Sequence, residues 1–423
     1  MTRTDELPEA FVGHTRSIMG DELFAAFLRG LSEEPPVSIR VNADKWQGEP
    51  CGGERVPWSQ CGWYLPARPN FTFDPLLHAG CYYVQEASSM FVERVVRRFL
   101  PDRPVSVLDM CAAPGGKSLA VMSALPEGSV LVSNEPVRLR ASVLAENISK
   151  WGSPRMAVTC NYPRQVSQSK MKFDVIICDV PCSGEGMFRK DAQAIREWSP
   201  QNVERCSALQ REIVAEAWKC LKPGGLLVYS TCTFNTRENE ENVRWILDEY
   251  DASLMAVDVQ PQWGITGSLL PGFDGPVYRF IPGVTRGEGI FMAAIVKEGQ
   301  LAPAKLPSLD RLPAPLVMME LRRLLPSSDS NDHATRVELS YRDAIAYLRR
   351  EALVLPPDVE RGILTVTYRG MALGEVKNLG NRANNLYPKE WRIKSTHLPE
   401  SEPGVLSLTS LTSPINNYIH NLQ

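Results

Sequence analysis

The sequence of 423 residues lacks any apolar run near the ~20 residues that a helix needs to cross a bilayer. Its first twenty residues, MTRTDELPEAFVGHTRSIMG, also lack the apolar core of a secretory signal. We therefore expect a cytoplasmic protein with no membrane partner.

Cysteine is missing from the last 191 residues, and the ten cysteines all lie between Cys51 and Cys232. No CxxC pair occurs, and Cys178 and Cys182 fall on a predicted strand and its exit rather than on a zinc-binding turn. The pattern predicts free thiols in a reducing compartment, with neither a disulfide framework nor a metal site.

Excess charge is also missing: the net charge is −3 and the isoelectric point is about 6.1. The bulk charge therefore gives no sign of a nucleic-acid partner. Residues 361–396, however, hold seven Lys or Arg and two Glu. A local basic surface is typical of a module that binds a polyanion, although an ordinary solvated face would have the same composition.

The chain divides into an N-terminal region at 1–75, a central block at 76–299 and a smaller C-terminal block. The central block alternates short, continuous apolar runs with helical stretches, which is typical of a parallel sheet covered on both faces. Its predicted strands lie at 105–112, 128–135, 155–160, 173–180, 224–233 and 289–297. A Pro-rich linker is predicted at 300–330, a helix and a hairpin at 331–396, and a tail at 397–423.

The first strand exit, DMCAAPGGKS at 109–118, has two glycines that let the backbone approach a ligand before a helix begins. Cys111 stands where a Walker A loop needs glycine, and no GxGxxG pattern is present. Glu135 ends the second strand, where an acid would hold the ribose hydroxyls of a nucleoside. These features indicate S-adenosylmethionine, although a glycine turn and a chance surface Glu stay open as an alternative.

The fourth and fifth strand exits each carry a cysteine, Cys182 in CDVPCSGEG and Cys232 in STCTF. A thiolate that adds to carbon 6 of cytosine turns the ring into an enamine whose carbon 5 can accept a methyl group. Asp179 can assist by protonating or hydrogen bonding ring nitrogen 3. The adduct must then lose the proton on carbon 5 and expel the thiol, which gives a second group a task.

At these residues the sequence resembles the Nop/Sun-type (Fmu-like) RNA cytosine-5 methyltransferases, and within them the bacterial ribosomal RNA small-subunit methyltransferase F group. The stretches that match are SIRVN (38–42), GCYYVQEASSM (80–90), VLDMCAAPGGKS (107–118), SNEPVRLRASVLAENISKWG (133–152), DVPCSGEGMFRKD (179–191), STCTFNTRENEENV (230–243), YLRREAL (347–353) and VKNLGNRANNLYPKEWR (376–392). The resemblance implies an α/β fold: a Rossmann-like S-adenosylmethionine-dependent methyltransferase core, an N-terminal α+β extension and a C-terminal PUA-like RNA-binding domain at 331–396.

The resemblance also implies the tasks of individual residues. Cys232 is the implied nucleophile, Cys182 the implied product-release cysteine, and Asp179 the group beside the methyl and the base. The implied ligands of S-adenosyl-L-methionine are Cys111, Ala112, Ala113, Pro114, Gly115, Gly116, Lys117, Glu135, Arg140, Asn161 and Asp179. Asn161 departs from the family pattern, which usually has Asp for the adenine amino group; its amide oxygen could accept that hydrogen bond, or Tyr162 could stack instead.

Contacts with RNA are expected from basic residues in two places. Arg189 and Lys190 follow the Cys182 loop, where they could hold phosphates near a flipped base. Lys377 and Arg382 lie in the C-terminal module, together with Asn378 and Tyr387. The expected partner is ribosomal RNA or the small ribosomal subunit.

Three functions are compatible with this pattern to different degrees. The leading prediction is methylation of cytosine carbon 5 in small-subunit ribosomal RNA, with transfer RNA as the other substrate class. An RNA-binding assembly factor without activity has no need of both thiols. A methyltransferase for amino groups would use [ND]PP[YF] at the fourth exit, where this chain has DVPC.

Overall fold

The computed structural model describes residues 6–303, 305–322, 335–395, 398–399 and 401–407. The chain forms two compact units. The larger consists of Met1–Arg40, Arg55–Gly62 and Val84–Arg323, and the smaller of Val41–Glu54, Trp63–Tyr83 and Leu324–Gln423. Among the described residues, no helix is both long and apolar enough to cross a membrane.

The regular elements are numbered along the chain. The strands are β1 (Val37–Val41), β2 (Glu54–Arg55), β3 (Gly62–Leu65), β4 (Tyr82–Val84), β5 (Ser106–Asp109), β6 (Val130–Asn134), β7 (Met156–Thr159), β8 (Phe173–Asp179), β9 (Leu221–Thr231), β10 (Ala252–Leu254), β11 (Val277–Phe280), β12 (Ile290–Lys297), β13 (Arg336–Glu338), β14 (Gly362–Tyr368), β15 (Met371–Asn378) and β16 (Ala383–Asn385). The helices are α1 (Glu9–Ser32), α2 (Pro75–His78), α3 (Phe91–Phe99), α4 (Gly116–Met122), α5 (Arg138–Trp151), α6 (Pro163–Gln168), α7 (Ala192–Glu197), α8 (Pro200–Cys220), α9 (Glu240–Glu249) and α10 (Tyr341–Leu348). A small N-terminal sheet has the order β2-β3-β1-β4.

The central sheet of the larger unit has the strand order β10-β12-β9-β8-β5-β6-β7, with β11 paired to β12. Strands β7, β6, β5, β8 and β9 are parallel, and β12 runs antiparallel to β9. Each of the six predicted strands is present, since continuous apolar runs suit strands that are buried on both faces. The chain order reverses beside β5, so a crevice for a ligand is expected at the carboxyl ends of β5 and its neighbours.

Helix α1 packs on the loops that follow β8 and β9. Phe11 meets Phe188 with ring centroids 5.0 Å apart, and Phe27 meets Phe234 at 4.8 Å. These four side chains are almost fully buried, within one apolar cluster. Because Phe188 follows Cys182 and Phe234 follows Cys232 in sequence, the N-terminal helix helps to hold both cysteine loops in place.

Part of the predicted linker packs against the larger unit. Leu312 is 7% exposed and joins the core cluster of the sheet, with Leu309 and Leu316 packed beside it. Met318 pairs antiparallel with Thr159 at the free edge of β7. Residues 305–322 therefore contribute to the fold of this unit, and the domain boundaries given above stay predictions.

The smaller unit contains a second sheet of order β13-β14-β15-β16. The predicted hairpin is confirmed: β14 and β15 are antiparallel, and the turn residues Arg369 and Gly370 have φ of 50° and 75°. In the predicted tail, Val405 accepts a backbone hydrogen bond from Cys51 at 3.0 Å. Residues 408–423 lie outside the described part of the chain.

Candidate active site

The loop after β5 lies at the carboxyl edge of the sheet and leads into α4. Gly115 has φ of 119°, which L-residues rarely adopt, and a Cβ there would come within 3.2 Å of Leu144. Asn147 Nδ2 donates to Pro114 O at 2.8 Å, and Gln85 Nε2 donates to Gly116 O at 3.0 Å. Glycine and these side-chain contacts fix a tight backbone curve with room beside it for a ligand.

A buried carboxylate lies at the end of β5, beneath this loop. Asp109 is 1% exposed, and its Oδ2 accepts from Ser118 Oγ at 2.7 Å. Its Oδ1 has no hydrogen-bond partner among the described residues. Burial raises the pKa of Asp109 to about 7, aided by the charge of Asp179 and opposed by the Ser118 hydrogen bond. At neutral pH this group is poised between its charged and neutral forms.

Glu135, at the exit of β6, is fully buried. Its Oε1 accepts from the Val137 backbone at 3.0 Å. Its Oε2 has no hydrogen-bond partner in the described chain and lies 3.5 Å from Arg140 Nη1. Arg140 Nη2 in turn donates to Ala113 O at 3.0 Å. Arg140 thus links the acid to the glycine loop, and one carboxylate oxygen is left to accept from a ligand.

The structure changes the interpretation of Asn161. Its amide oxygen accepts from Val317 N at 3.0 Å, and its amide nitrogen donates to Val317 O at 3.3 Å. The side chain is therefore engaged with the segment that pairs with β7, and a hydrogen bond to an adenine, which would need the second lone pair of the amide oxygen, stays a prediction. Tyr162 is 68% exposed.

Asp179 is the last residue of β8 and forms an ion pair with Lys117 at the carboxyl end of that strand. Its Oδ2 lies 2.9 Å from Lys117 Nζ, and Ser230 Oγ of β9 donates to its Oδ1 at 2.8 Å. Burial lowers the pKa of Lys117, but the charge and hydrogen bond of Asp179 outweigh that effect and raise it. Lys117 therefore stays an ammonium, and its ion pair joins the start of α4, directly after the Gly115 loop, to the carboxylate of Asp179.

The two predicted cysteines meet at the same edge of the sheet. Cys182 Sγ and Cys232 Sγ are 3.1 Å apart. The pKa of Cys182 is raised well above its usual value, first by the hydrogen bond with Cys232, then by burial and by the charges of Cys232 and Glu238. A thiol that keeps its proton at Cys182 can donate a hydrogen bond to Cys232 Sγ, so the two cysteines differ in their surroundings although they lie in contact.

Two buried acids that sequence reasoning missed hold the cysteine loops together. Glu185 accepts from the backbone of Phe234 at 2.6 Å and of Asn235 at 3.0 Å. Glu238 accepts from the backbone of Ser183 at 2.9 Å, and Asn235 Nδ2 reaches both carboxylates at 2.9 Å. Each acid lies in one loop and binds the other. Their only signal in the sequence is an acid close to each cysteine, within stretches that read as solvated loops.

The structure gives no support to the prediction that Arg189 holds RNA phosphates. The side chain is buried, and its guanidinium donates to Glu288 at 3.1 Å, to Gly30 O at 2.8 Å and to Gly287 O at 2.8 Å. These acceptors occupy the guanidinium nitrogens that would otherwise bind a phosphate. Lys190 is 40% exposed and pairs with Glu288 at 2.9 Å, so it still presents an ammonium to solvent.

The four candidates in the smaller unit separate into two kinds. Lys377 and Arg382 are exposed. Asn378 is 3% exposed, and its amide donates to Val359 O at 3.1 Å and Glu360 O at 2.8 Å. Tyr387 is 1% exposed. Asn378 and Tyr387 are therefore packing residues, whereas Lys377 and Arg382 stay predicted contacts with RNA.

Three family descriptions match successive parts of the chain. They are the N-terminal domain of 16S rRNA methyltransferase RsmF over residues 7–87, 16S rRNA methyltransferase RsmB/F over 99–296, and the methyltransferase RsmF PUA domain over 334–393. A ribosomal RNA small subunit methyltransferase F from Cronobacter sakazakii is 32% identical over 405 residues, with 89% of this chain and 81% of that protein covered. The chain belongs to this family. The protein of that name from Escherichia coli strain SE11 is likewise 32% identical, with the same two shares covered.

Solved structures give the same fold. A methyltransferase homologue from Pyrococcus horikoshii has a TM-score of 0.58 at 24% identity, covering 70% of this chain and 99% of its own. The structure of NSun6 from that organism with SFG has a TM-score of 0.59 at 20% identity, covering 70% and 100%. The predicted fold class is confirmed: a Rossmann-like core followed by a PUA domain.

Membership of the family also confirms the predicted enzyme class, an RNA methyltransferase, and the cofactor, S-adenosyl-L-methionine. Two features described above fit that cofactor. Oε2 of Glu135 accepts no hydrogen bond within the described chain and suits a pair of ribose hydroxyls, and the loop at Gly115 leaves backbone free to approach a ligand.

Proposed function

We propose that the enzyme methylates carbon 5 of a cytosine in small-subunit ribosomal RNA through a covalent bond between Cys232 and the base. The contact of 3.1 Å between the two thiols, next to Asp179 on the neighbouring strand, carries this proposal. The names of the relatives support ribosomal RNA as the substrate, and a substrate of that kind implies action in the cytoplasm.

Bound S-adenosyl-L-methionine would supply a methyl group on a sulfonium, held by the loop at 111–117 and by Glu135, with Arg140 linking the two. The Cys232 thiolate forms a bond to carbon 6, and the electron pair of the carbon 5–carbon 6 double bond moves into the ring. The pair of Asp179 and Lys117 faces ring nitrogen 3 and supplies the proton or hydrogen bond that this nitrogen needs, while the positive charge of Lys117 offsets the charge that develops on the ring. Carbon 5 is then electron-rich and would be the atom that receives the methyl group, with the electron pair of the broken sulfur–carbon bond staying on the sulfonium sulfur.

Breakdown of the adduct needs a base, and we assign it to Cys182. While Cys232 is free, its hydrogen bond is the first cause of the raised Cys182 pKa. Once Cys232 is a thioether its charge is gone, so Cys182 can lose its proton more readily. The Cys182 thiolate takes the proton from carbon 5, the double bond forms again, and the electron pair of the sulfur–carbon 6 bond leaves with Cys232. The proton on ring nitrogen 3 returns to the pair of Asp179 and Lys117 in the same step.

Substitution of each cysteine tests this assignment. Cys232→Ala should form no covalent complex with RNA and transfer no methyl. Cys182→Ala should transfer the methyl once and stall, seen as a slow band on a denaturing gel that ribonuclease removes. The double variant, Cys182→Ala with Cys232→Ala, is the control and should show no band.

The opposite pattern, with the trapped band in Cys232→Ala, would assign the nucleophile to Cys182. The absence of transfer to small-subunit RNA by the wild type would contradict the proposed function itself. Bisulfite sequencing of ribosomal and transfer RNA from a strain without the protein would distinguish the two substrate classes.

A further inference from the structure

A cavity lies in the larger unit, on the surface of α3. It has a volume of about 350 Å³. Its lining includes Trp58, Gln60, Arg94, Arg97, Arg98 and Asp258. Three arginines on one helix face therefore meet in one concave site, although the whole chain carries a net charge of −3. The residues that complete the wall come from distant parts of the sequence.

The arginines of this cavity have donors to spare. Arg98 is exposed and has no hydrogen bond or ion pair within the described part of the chain. Arg94 uses only Nε, which donates to Asp258 O at 2.8 Å, and its guanidinium lies 4.9 Å from the centre of the Trp263 ring. This contact with the aromatic ring holds the plane of the Arg94 guanidinium. Arg189 differs, because each nitrogen of its guanidinium already donates a hydrogen bond within the protein.

The negative charges nearby leave most of this positive charge uncompensated. Glu93 is 1% exposed and pairs with the fully buried Arg40 at 2.7 Å. Arg97 Nε reaches the same carboxylate at 3.3 Å, while its Nη2 donates to Ser123 O at 2.9 Å. Asp258 is the other acid of the lining. Arg40 balances Glu93, so three arginines face one exposed carboxylate.

We propose that this cavity binds a phosphodiester of the RNA substrate. The N–H donors of a planar guanidinium match the oxygens of a phosphate. A guanidinium that is already held in place, like that of Arg94, loses little conformational entropy when it binds. The inference rests on the proposed function, because it takes RNA as the substrate. It adds a phosphate contact on the methyltransferase unit, separate from the basic residues of the PUA domain.

Arg98→Ala tests the proposal in the full-length enzyme. RNA affinity should fall about tenfold, as expected for a lost hydrogen bond to a charged group. The slope of log affinity against log salt should become shallower by roughly 0.7 to 1, because one phosphate contact fewer releases fewer counterions. Cofactor affinity should not change. Arg98→Lys keeps the charge and should keep most of the salt slope.

The matched control is Arg244→Ala, because Arg244 is an exposed arginine on α9 that does not line the cavity. Randomly ethylated RNA then locates the contact: one ethylated phosphate should weaken binding to the wild type but not to Arg98→Ala. Equal RNA affinity in Arg98→Ala and Arg244→Ala would overturn the proposal. So would stabilisation by inorganic phosphate with unchanged RNA affinity, which would assign the cavity to a free anion. Wild-type methylation, measured in parallel, shows independently whether the proposed function holds.

Discussion

Substitution of Glu135 by Gln should separate cofactor binding from folding. The side chain is fully buried, one oxygen is bound by the Val137 backbone, and the other has no hydrogen-bond partner in the described chain. A ribose hydroxyl that donates to this oxygen forms a charge-assisted hydrogen bond, worth about 1.5 to 3 kcal/mol. The change to a neutral amide should therefore weaken S-adenosylmethionine affinity roughly 10- to 150-fold.

The stability of the unliganded enzyme should change little. Burial of this carboxylate is unfavourable, while its ion pair with the half-exposed Arg140 at 3.5 Å offsets part of that cost, so Glu135→Gln should change the unliganded melting temperature far less than it changes cofactor affinity. A ligand at a hundred times its Kd stabilises a protein by about 2.7 kcal/mol, and weaker binding reduces this stabilisation. The rise in melting temperature on adding cofactor should therefore be smaller in Glu135→Gln than in the wild type. Titration calorimetry and thermal unfolding measure the two effects. Glu146→Gln, in the same region on α5, is the control, and an unchanged titration for Glu135→Gln would remove this acid from the site.

Two further predictions concern stability. Burial raises the pKa of Glu238 to about 7, so its protonated form stabilises the fold at low pH, and this contribution is lost as the pH rises from the unfolded value of 4.5 through 7. The free energy of unfolding, measured with denaturant, should therefore be lower at pH 8 than at pH 5 by on the order of 3 kcal/mol from this residue, and Glu238→Gln should remove that contribution. An unchanged difference between the two pH values would contradict the shifted pKa. A chain that ends at Lys297 should lose the burial of Leu312, about 2 kcal/mol, and expose the edge of β7, whereas a chain that ends at Arg322 should not. Size-exclusion chromatography and thermal unfolding compare the two, and identical behaviour would show that 298–322 adds nothing to the fold.

The sequence predicted those features that depend on local pattern. Short apolar runs identified the strands of the central sheet, and the order of strand exits placed Asp179, Cys182 and Cys232 at one edge. The meeting of the two thiols follows from that order, because β8 and β9 are neighbours in the sheet. The hairpin of β14 and β15 was likewise predicted within the C-terminal block.

What the sequence could not predict is where a charged side chain points. Arg189 has the charge of an RNA contact, yet its partners, Gly30 and Gly287, lie more than 90 residues away in each direction. Glu238 lies in a stretch that reads as a solvated loop, but each of its oxygens accepts from a buried donor. Partners of this kind are set by the tertiary fold and leave no periodic signal.

The pairing of Met318 with Thr159 has a consequence for synthesis of the protein. The last strand of the central sheet ends at Lys297, but the backbone groups at the edge of β7 find their partners only at Val317 and Met319. A domain made from its N-terminus would therefore leave the ribosome with an open sheet edge until some twenty further residues emerged. Open edges invite pairing with other chains. Completion of the catalytic fold thus waits for the segment that leads into the RNA-binding domain.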